Sequence, residues 1–195
     1  MGGYAMNQDE RMYVVKNQKV TIEGRIEGER ILDIGGGGEG VIGICYKDRV
    51  VAIDPRKDEL EEASDGPLKI VMDARQLSFL DKSFDVVTSF FTLMYIDSTD
   101  HEKVFNEIYR VLKRNGKFII WDSTIEKYDG GVKDIFVIEL EINTSNKIIK
   151  TGYGVGRRGK HQSIEYFKNL GEKTGFAVKN IDDNDQVFKI VFRKN

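Results

Sequence analysis

Cysteine is almost absent: Cys45 is the single thiol in 195 residues. One thiol excludes an intramolecular disulfide and any metal site built from thiolates alone. The count fits a reducing cytoplasm, which is the expected location. Histidine is nearly as scarce, with only His101 and His161, so a His-rich centre is excluded and no metal is expected. Proline occurs at Pro55 and Pro67 alone, and no low-complexity linker or fixed-period repeat divides the chain. No apolar run approaches the ~20 residues needed to cross a bilayer. Residues 1–11 lack the basic end and apolar stretch of a signal peptide, so no membrane partner is expected. An excess of one charge is missing too: 30 Lys and Arg face 32 Asp and Glu, for a net −2. That balance argues against coating nucleic acid through bulk charge.

Apolar material is plentiful, at 40% of residues with eleven Phe and eight Tyr. The length and this share point to one domain, 1–195, with a sizeable core. Its parts read as an extended segment (1–29), a core (30–122), a hairpin insertion or lid (130–160) and a closing helix with hairpin (161–195). In the core, short apolar runs end in turns at 31–34, 49–53, 69–72, 84–90 and 117–121, as buried strands do. Between them, 41–45, 56–63 and 98–112 read as helices, and 115–116 as the left-handed cap of the last. His101 should lie exposed at the front of that helix. Alternating strands and helices predict an α/β fold: a doubly wound, mostly parallel sheet with helices on both faces. Residues 138–142 alternate apolar with Glu139 and Glu141, and 147–155 is again strand-like, so a β-hairpin is inserted after the fifth strand. Residues 163–174 form an amphipathic helix capped by Ser163 and stopped by Gly175. Two strands at 176–181 and 187–192 complete a seven-stranded sheet. Residues 12–26 read as short extended pieces.

The central motif is Ile31-Leu32-Asp33-Ile34-Gly35-Gly36-Gly37-Gly38-Glu39-Gly40. Bare glycines allow a ligand close to the main chain, and the following helix presents unpaired N–H groups. The spacing of Gly35, Gly37 and Gly40 suits dinucleotide binders. Asp54 ends the second strand, where a carboxylate can accept from both ribose hydroxyls. Nicotinamide and S-adenosylmethionine enzymes share that geometry, so an NAD(P)-dependent oxidoreductase stays open at this point. The third strand ends in Asp73-Ala74, where a carboxylate and a backbone N–H can read an adenine edge.

With the Leu77-to-Val87 stretch that follows, the sequence resembles the class I S-adenosylmethionine-dependent methyltransferases, in the group acting mostly on small molecules. The resemblance covers about 30–122 and the closing hairpin. It implies a Rossmann-like fold, S-adenosylmethionine as cofactor and a small-molecule methyl acceptor, or cofactor binding without turnover. It also implies that Gly35, Gly36 and Gly37 line the methionine part and that Asp33 holds its amino group. Asp54 would bind the ribose, Arg56 flank the adenine, and Asp73 and Ala74 read its edge. Phe90 would lie where cofactor and acceptor meet. One departure is that the family's third glycine usually sits where this chain has Glu39.

No strong catalytic motif is present. Candidates to touch the acceptor are Tyr95, Asp122 and His161. The span 147–161 carries Lys147, Lys150, Arg157, Arg158 and Lys160 with no acid. It is either a solvated hairpin face or a means of drawing an anionic acceptor to a lid carrying Tyr153. The apolar face of the hairpin should cover the site or join a second subunit as a homodimer.

Overall fold

A computed structural model describes residues 8–22 and 26–195. Its elements are α1 (Gln8–Arg11), β1 (Met12–Ile22), β2 (Ile31–Ile34), α2 (Val41–Tyr46), β3 (Val50–Asp54), α3 (Lys57–Glu62) and β4 (Leu68–Val71). These are followed by β5 (Phe84–Phe90), α4 (His101–Val111), β6 (Leu112–Ser123), β7 (Ile135–Thr144) and β8 (Ile148–Gly156). The chain ends with α5 (Ile164–Thr174), β9 (Phe176–Asn184) and β10 (Val187–Lys194).

Seven strands make the main sheet in the order β4-β3-β2-β5-β6-β10-β9. β4, β3, β2, β5 and β6 run parallel, and β10 lies antiparallel to both β6 and β9. The doubly wound, mostly parallel α/β sheet expected from the sequence is therefore present. Strand order reverses between β2 and β5, which both leave the centre of the sheet. A crevice at the carboxyl ends of the strands is the usual result.

The central short strand β2 is almost wholly apolar because both faces of the sheet are covered there. Ile31, Leu32 and Ile34 are at most 1% exposed. On one face, Val104, Phe105, Ile108 and Val111 of α4 and Phe167 of α5 pack against Leu32, Val87 and Ile120. α5 starts where Ser163 Oγ accepts from Tyr166 N at 3.2 Å and stops at Gly175, whose φ is 106°. Helix α4 does not reach residue 115. It ends at Val111, and the chain turns straight into β6 through Leu112 in an extended conformation. Asn115 is left-handed, with φ 64°, yet it lies inside β6 rather than capping the helix. His101 is 2% exposed, not solvated. Its Nε2 lies 3.0 Å from Leu93 O and its Nδ1 3.0 Å from Tyr166 Oη.

The other face carries helices as expected, but a second, smaller sheet shares it with them. β1, β7 and β8 form a separate sheet in the order β1-β7-β8, with β1 parallel to β7. Residues 12–22 thus form one strand, not short pieces. The alternation of β7 turns Phe136, Ile138, Leu140 and Ile142 inward, onto a core shared with Val86, Ile119 and Trp121. Helices α2 and α3 cover the rest of that face through Val41, Ile42 and Leu60. The apolar face that could have joined a second subunit is therefore buried within the chain.

This packing predicts that Ile138→Ala, at a site 0% exposed, lowers the unfolding free energy by about 2–5 kcal/mol. Urea unfolding measures it. A loss below about 0.5 kcal/mol would mean that the small sheet is not part of the cooperative core.

Candidate functional site

A cleft of ≈ 1090 Å³ opens at the carboxyl ends of β2, β3, β4 and β5. Asp33, Asp54 and Asp73 line it together with Gly35, Gly37, Arg56, Ala74 and Phe90. Residues from separate turns of the sequence meet here because parallel strands end at one edge. Gly38, Gly40, Phe91, Thr92 and Tyr95 add to the wall, and Tyr153 and its flanking glycines reach in from β8.

The glycine turn is packed tightly on its own chain. Gly35 has φ 69°, and a Cβ there would lie 2.3 Å from Thr92 Cγ2. Thr92 Oγ1 lies 3.1 Å from both Ile34 O and Phe90 O, fastening the end of β5 to the turn. Gly36 does not line the cleft. It is buried with its N–H 3.0 Å from Ile53 O, and a Cβ would meet Ala52 Cβ at 2.8 Å. The bareness of this turn therefore makes room first for neighbouring strands and only then for a ligand. Phe91 is left-handed as well, with φ 49°, which is costly for a bulky side chain and is found most often at functional sites.

Asp33 is 3% exposed, and its Oδ1 accepts from Thr88 Oγ1 at 2.7 Å. Burial outweighs that bond and pushes its carboxyl from the ordinary 3.8 up to about 7. Asp54 is half-buried. Its Oδ1 accepts from Arg56 N at 2.9 Å, and burial raises its pKa against the pull of that bond. The Arg56 guanidinium turns away to Asp58 and Glu59. Asp73 is gripped by Arg75, whose Nη2 and Nε lie 2.6 and 2.9 Å from Oδ2, holding its carboxyl below the usual range. Arg75 Nη1 also meets Asp100 Oδ2 at 2.9 Å.

Of the three acceptor-side candidates, only Tyr95 reaches the cleft, half exposed. Burial raises its phenol, and the Gly154 N–H donating to it pulls the other way. Asp122 lies outside the cleft lining and is 0% exposed. Its Oδ1 accepts from Gln162 Nε2 at 2.6 Å and Ser123 N at 2.8 Å, and burial pushes it from 3.8 to about 7. His161 is exposed in a separate depression beside Lys127, Tyr128 and Arg158. The span 147–161 reaches the cleft through Tyr153 and its flanking glycines, but its basic side chains do not line it. Arg157 stacks over Tyr13 and Tyr128, Arg158 lies 3.7 Å from Asp134, and Lys160 donates to Ile96 O at 2.7 Å. Among the described residues the cleft's cations are Arg56 and Arg75, facing a majority of Asp and Glu. Sequence reasoning missed Thr92 and Arg75. The second was within reach, because it follows Asp73 by two residues.

Two buried carboxyls that hold their protons in the native state make stability pH-dependent. Between 3.8 and about 7 the unfolded chain releases protons that Asp33 and Asp122 retain. Their contribution to stability therefore falls as pH rises through that window and is level above it. Asp122→Asn is expected to flatten the decline measured by urea unfolding at pH 5, 6 and 7. An unchanged slope would show that Asp122 ionises normally.

Residues 32–120 match the family described as a methyltransferase domain. A sterol 4-C-methyltransferase of Caenorhabditis elegans is 35% identical over 92 residues, covering 47% of this chain and 27% of that protein. The chain thus spans about a quarter of the length of the curated relative it matches. A protein of Pyrococcus horikoshii superposes with TM-score 0.62 at 20% identity, over 85% of this chain and 83% of its own. An S-adenosylmethionine-dependent methyltransferase of Methanosarcina mazei gives 0.62 at 16%, over 87% and 94%. These two likenesses establish the fold. The ambiguity that the glycine spacing left with nicotinamide enzymes is settled by the family match. The glycine turn and all three strand-end carboxylates lie inside the matched segment, so it is the part of the chain holding the candidate site that matches the methyltransferase-domain family.

Proposed function

We propose that the chain transfers a methyl group from S-adenosylmethionine to a small-molecule acceptor. One observation carries this reading: Asp33, Asp54 and Asp73 end adjacent strands and line one cleft with the glycine turn. The donor set fits the cofactor. Asp54 and Asp73 are acceptors with lone pairs beyond those used by Arg56 N and Arg75. Asp33 lies where an ammonium would meet it and draw off its proton.

S-adenosylmethionine supplies the electrophilic methyl and the leaving thioether. The chain must hold, align and dehydrate. Asp54 holds the ribose hydroxyls, and Asp73 with the Ala74 N–H reads the adenine edge. Asp33 and the turn at Gly35 and Gly37 hold the amino acid end. Phe90, Phe91 and Tyr153 exclude water near the reacting carbon, and alignment there contributes much of the rate. Tyr95 orients the acceptor with its hydroxyl and, for a hydroxyl or amine acceptor, relays the proton by passing its own to water as it takes the acceptor's.

The named activity of the nematode relative and the aromatic wall support a small acceptor. The acidic lining favours a neutral or cationic acceptor over an anionic one, since the basic side chains of the span 147–161 are not part of it. Calorimetry with S-adenosylmethionine and NAD, followed by labelled-methyl transfer to sterols, phenols, amines, carboxylates and thiols, tests the proposal. Saturable binding of S-adenosylmethionine and label on one acceptor class are expected. Binding without transfer to any class would make the chain a cofactor-binding protein without turnover. Tight binding of NAD instead would overturn the reading.

A further inference from the structure

Glu39 stands in the glycine turn, yet its carboxylate leaves the turn and crosses to the small sheet. Its Oε2 accepts from Tyr153 Oη at 3.0 Å, and its Oε1 accepts from the Thr151 hydroxyl. Among the described residues no ion pair engages it. Both donors sit on the inward side of β8, while Gly152, Gly154 and Gly156 occupy the outward side. β8 is an edge strand, paired to β7 alone. Its attachment to the glycine turn is therefore made by these two bonds, beside the Tyr153 ring, which stacks on Phe91 at 5.5 Å and 25°. Glu39, Gly152, Tyr153 and Gly154 all line the cleft.

Bonds from neutral hydroxyls to a carboxylate are charge-assisted and stronger than neutral pairs. A partly buried carboxylate without a cation needs such donors, and the Tyr153 phenol remains protonated because burial, followed by the Glu39 charge, raises its pKa. The same residue thus serves as part of the turn and as the anchor of the strand above it.

We propose that Glu39 is a positioning residue, which fastens β8 as the roof of the cleft, holds Tyr153 against Phe91 and retards release of the bound nucleoside. This rests on the methyltransferase reading for the ligand, while the fastening itself concerns this chain's own residues. A loosened roof exposes the amide edge of β8 and opens the acceptor end to water.

Two readouts on the full chain separate these parts. Hydrogen exchange of residues 150–154 without ligand reads the fastening. Dissociation of S-adenosylhomocysteine, followed by competitive displacement, reads its effect on the site. Glu39→Ala is expected to speed both by about tenfold, the loss of one to two net hydrogen bonds. Glu39→Gln keeps an acceptor oxygen and should recover most of the wild-type values. Tyr153→Phe and Thr151→Val should each give part of the loss. Thr144→Ala, which loosens the far end of the same hairpin where Thr144 Oγ1 lies 2.8 Å from Lys147 O, should leave dissociation unchanged. Unchanged exchange in Glu39→Ala overturns the fastening. Faster exchange with unchanged dissociation, or equal loss in Thr144→Ala, overturns the positioning role. If the wild type fails to bind S-adenosylhomocysteine, the methyltransferase reading falls, and the exchange arm still decides whether Glu39 holds β8.

Discussion

Asp54→Ala weakens binding of S-adenosylmethionine by about 100-fold or more, because two charge-assisted hydrogen bonds of roughly 1.5–3 kcal/mol each are lost together. Asp54 ends β3 with its carboxylate in the cleft, where Arg56 N donates to Oδ1 at 2.9 Å and the Gly37 N–H also donates to the carboxylate. In the proposed site, alanine would remove the acceptor for both ribose hydroxyls. The fold should survive, because the cost is two backbone-to-carboxylate bonds at a half-buried position. Arg56 is left in place by its pairs with Asp58 and Glu59. Asp54→Asn keeps one acceptor oxygen without the charge and should fall between the two. Calorimetry with unfolding followed in parallel measures the effect. A loss under about threefold in a folded variant would remove Asp54 from the ribose site and most of the support from the proposed function.

Gly35→Ala is expected to destabilise the fold as much as emptying a core position does. At φ 69° a side chain costs about 1–2 kcal/mol. The new Cβ would also lie 2.3 and 2.4 Å from Thr92 Cγ2 and Oγ1, and overpacking of that kind costs about 1–3 kcal/mol more. The sum, about 2–5 kcal/mol, should appear as a clear fall in the urea midpoint. Thr92→Ala in the same chain removes the collision but not the backbone strain, so the double variant should regain only part of the loss. Full additivity of the two substitutions would show that Thr92 moves aside without cost. Because Thr92 ties β5 to the turn, Gly35→Ala should impair ligand binding as well as folding.

The strands of the main sheet were legible because each is a short apolar run closed by a turn, and a parallel sheet buried on both faces requires that composition. The carboxylates at their ends were legible for the same reason, since a polar residue after such a run marks where the strand leaves the core. Asp122 shows the limit of that rule. It stands near the end of β6 as Asp54 stands at the end of β3, but Gln162 covers it and it never reaches the cleft. His161 and the basic span show another. Charge along the sequence does not say which way a loop faces, and here stacking on tyrosines and pairing with Asp134 take the cations elsewhere.

Glu39 could be noticed in the sequence only as an interruption of the glycines. Its partners, Thr151 and Tyr153, are more than a hundred residues away, and nothing local joins them. The same holds for the second face of the sheet. The alternation of β7 predicts an apolar face in need of cover. It does not say that β1 pairs with it and that the three strands share that face with α2 and α3.

What the sequence determined by itself is what periodicity and local conformation encode: the parallel core, the bare turn and the acids beyond Leu32, Ile53 and Met72. What only the tertiary structure decided is which of those groups share a cleft, and what closes it. Hydrophobic burial is non-directional and satisfied by any partner of the right shape, so the partner is chosen by the whole chain at once. The roof of the site, Glu39 under Tyr153, follows from that choice.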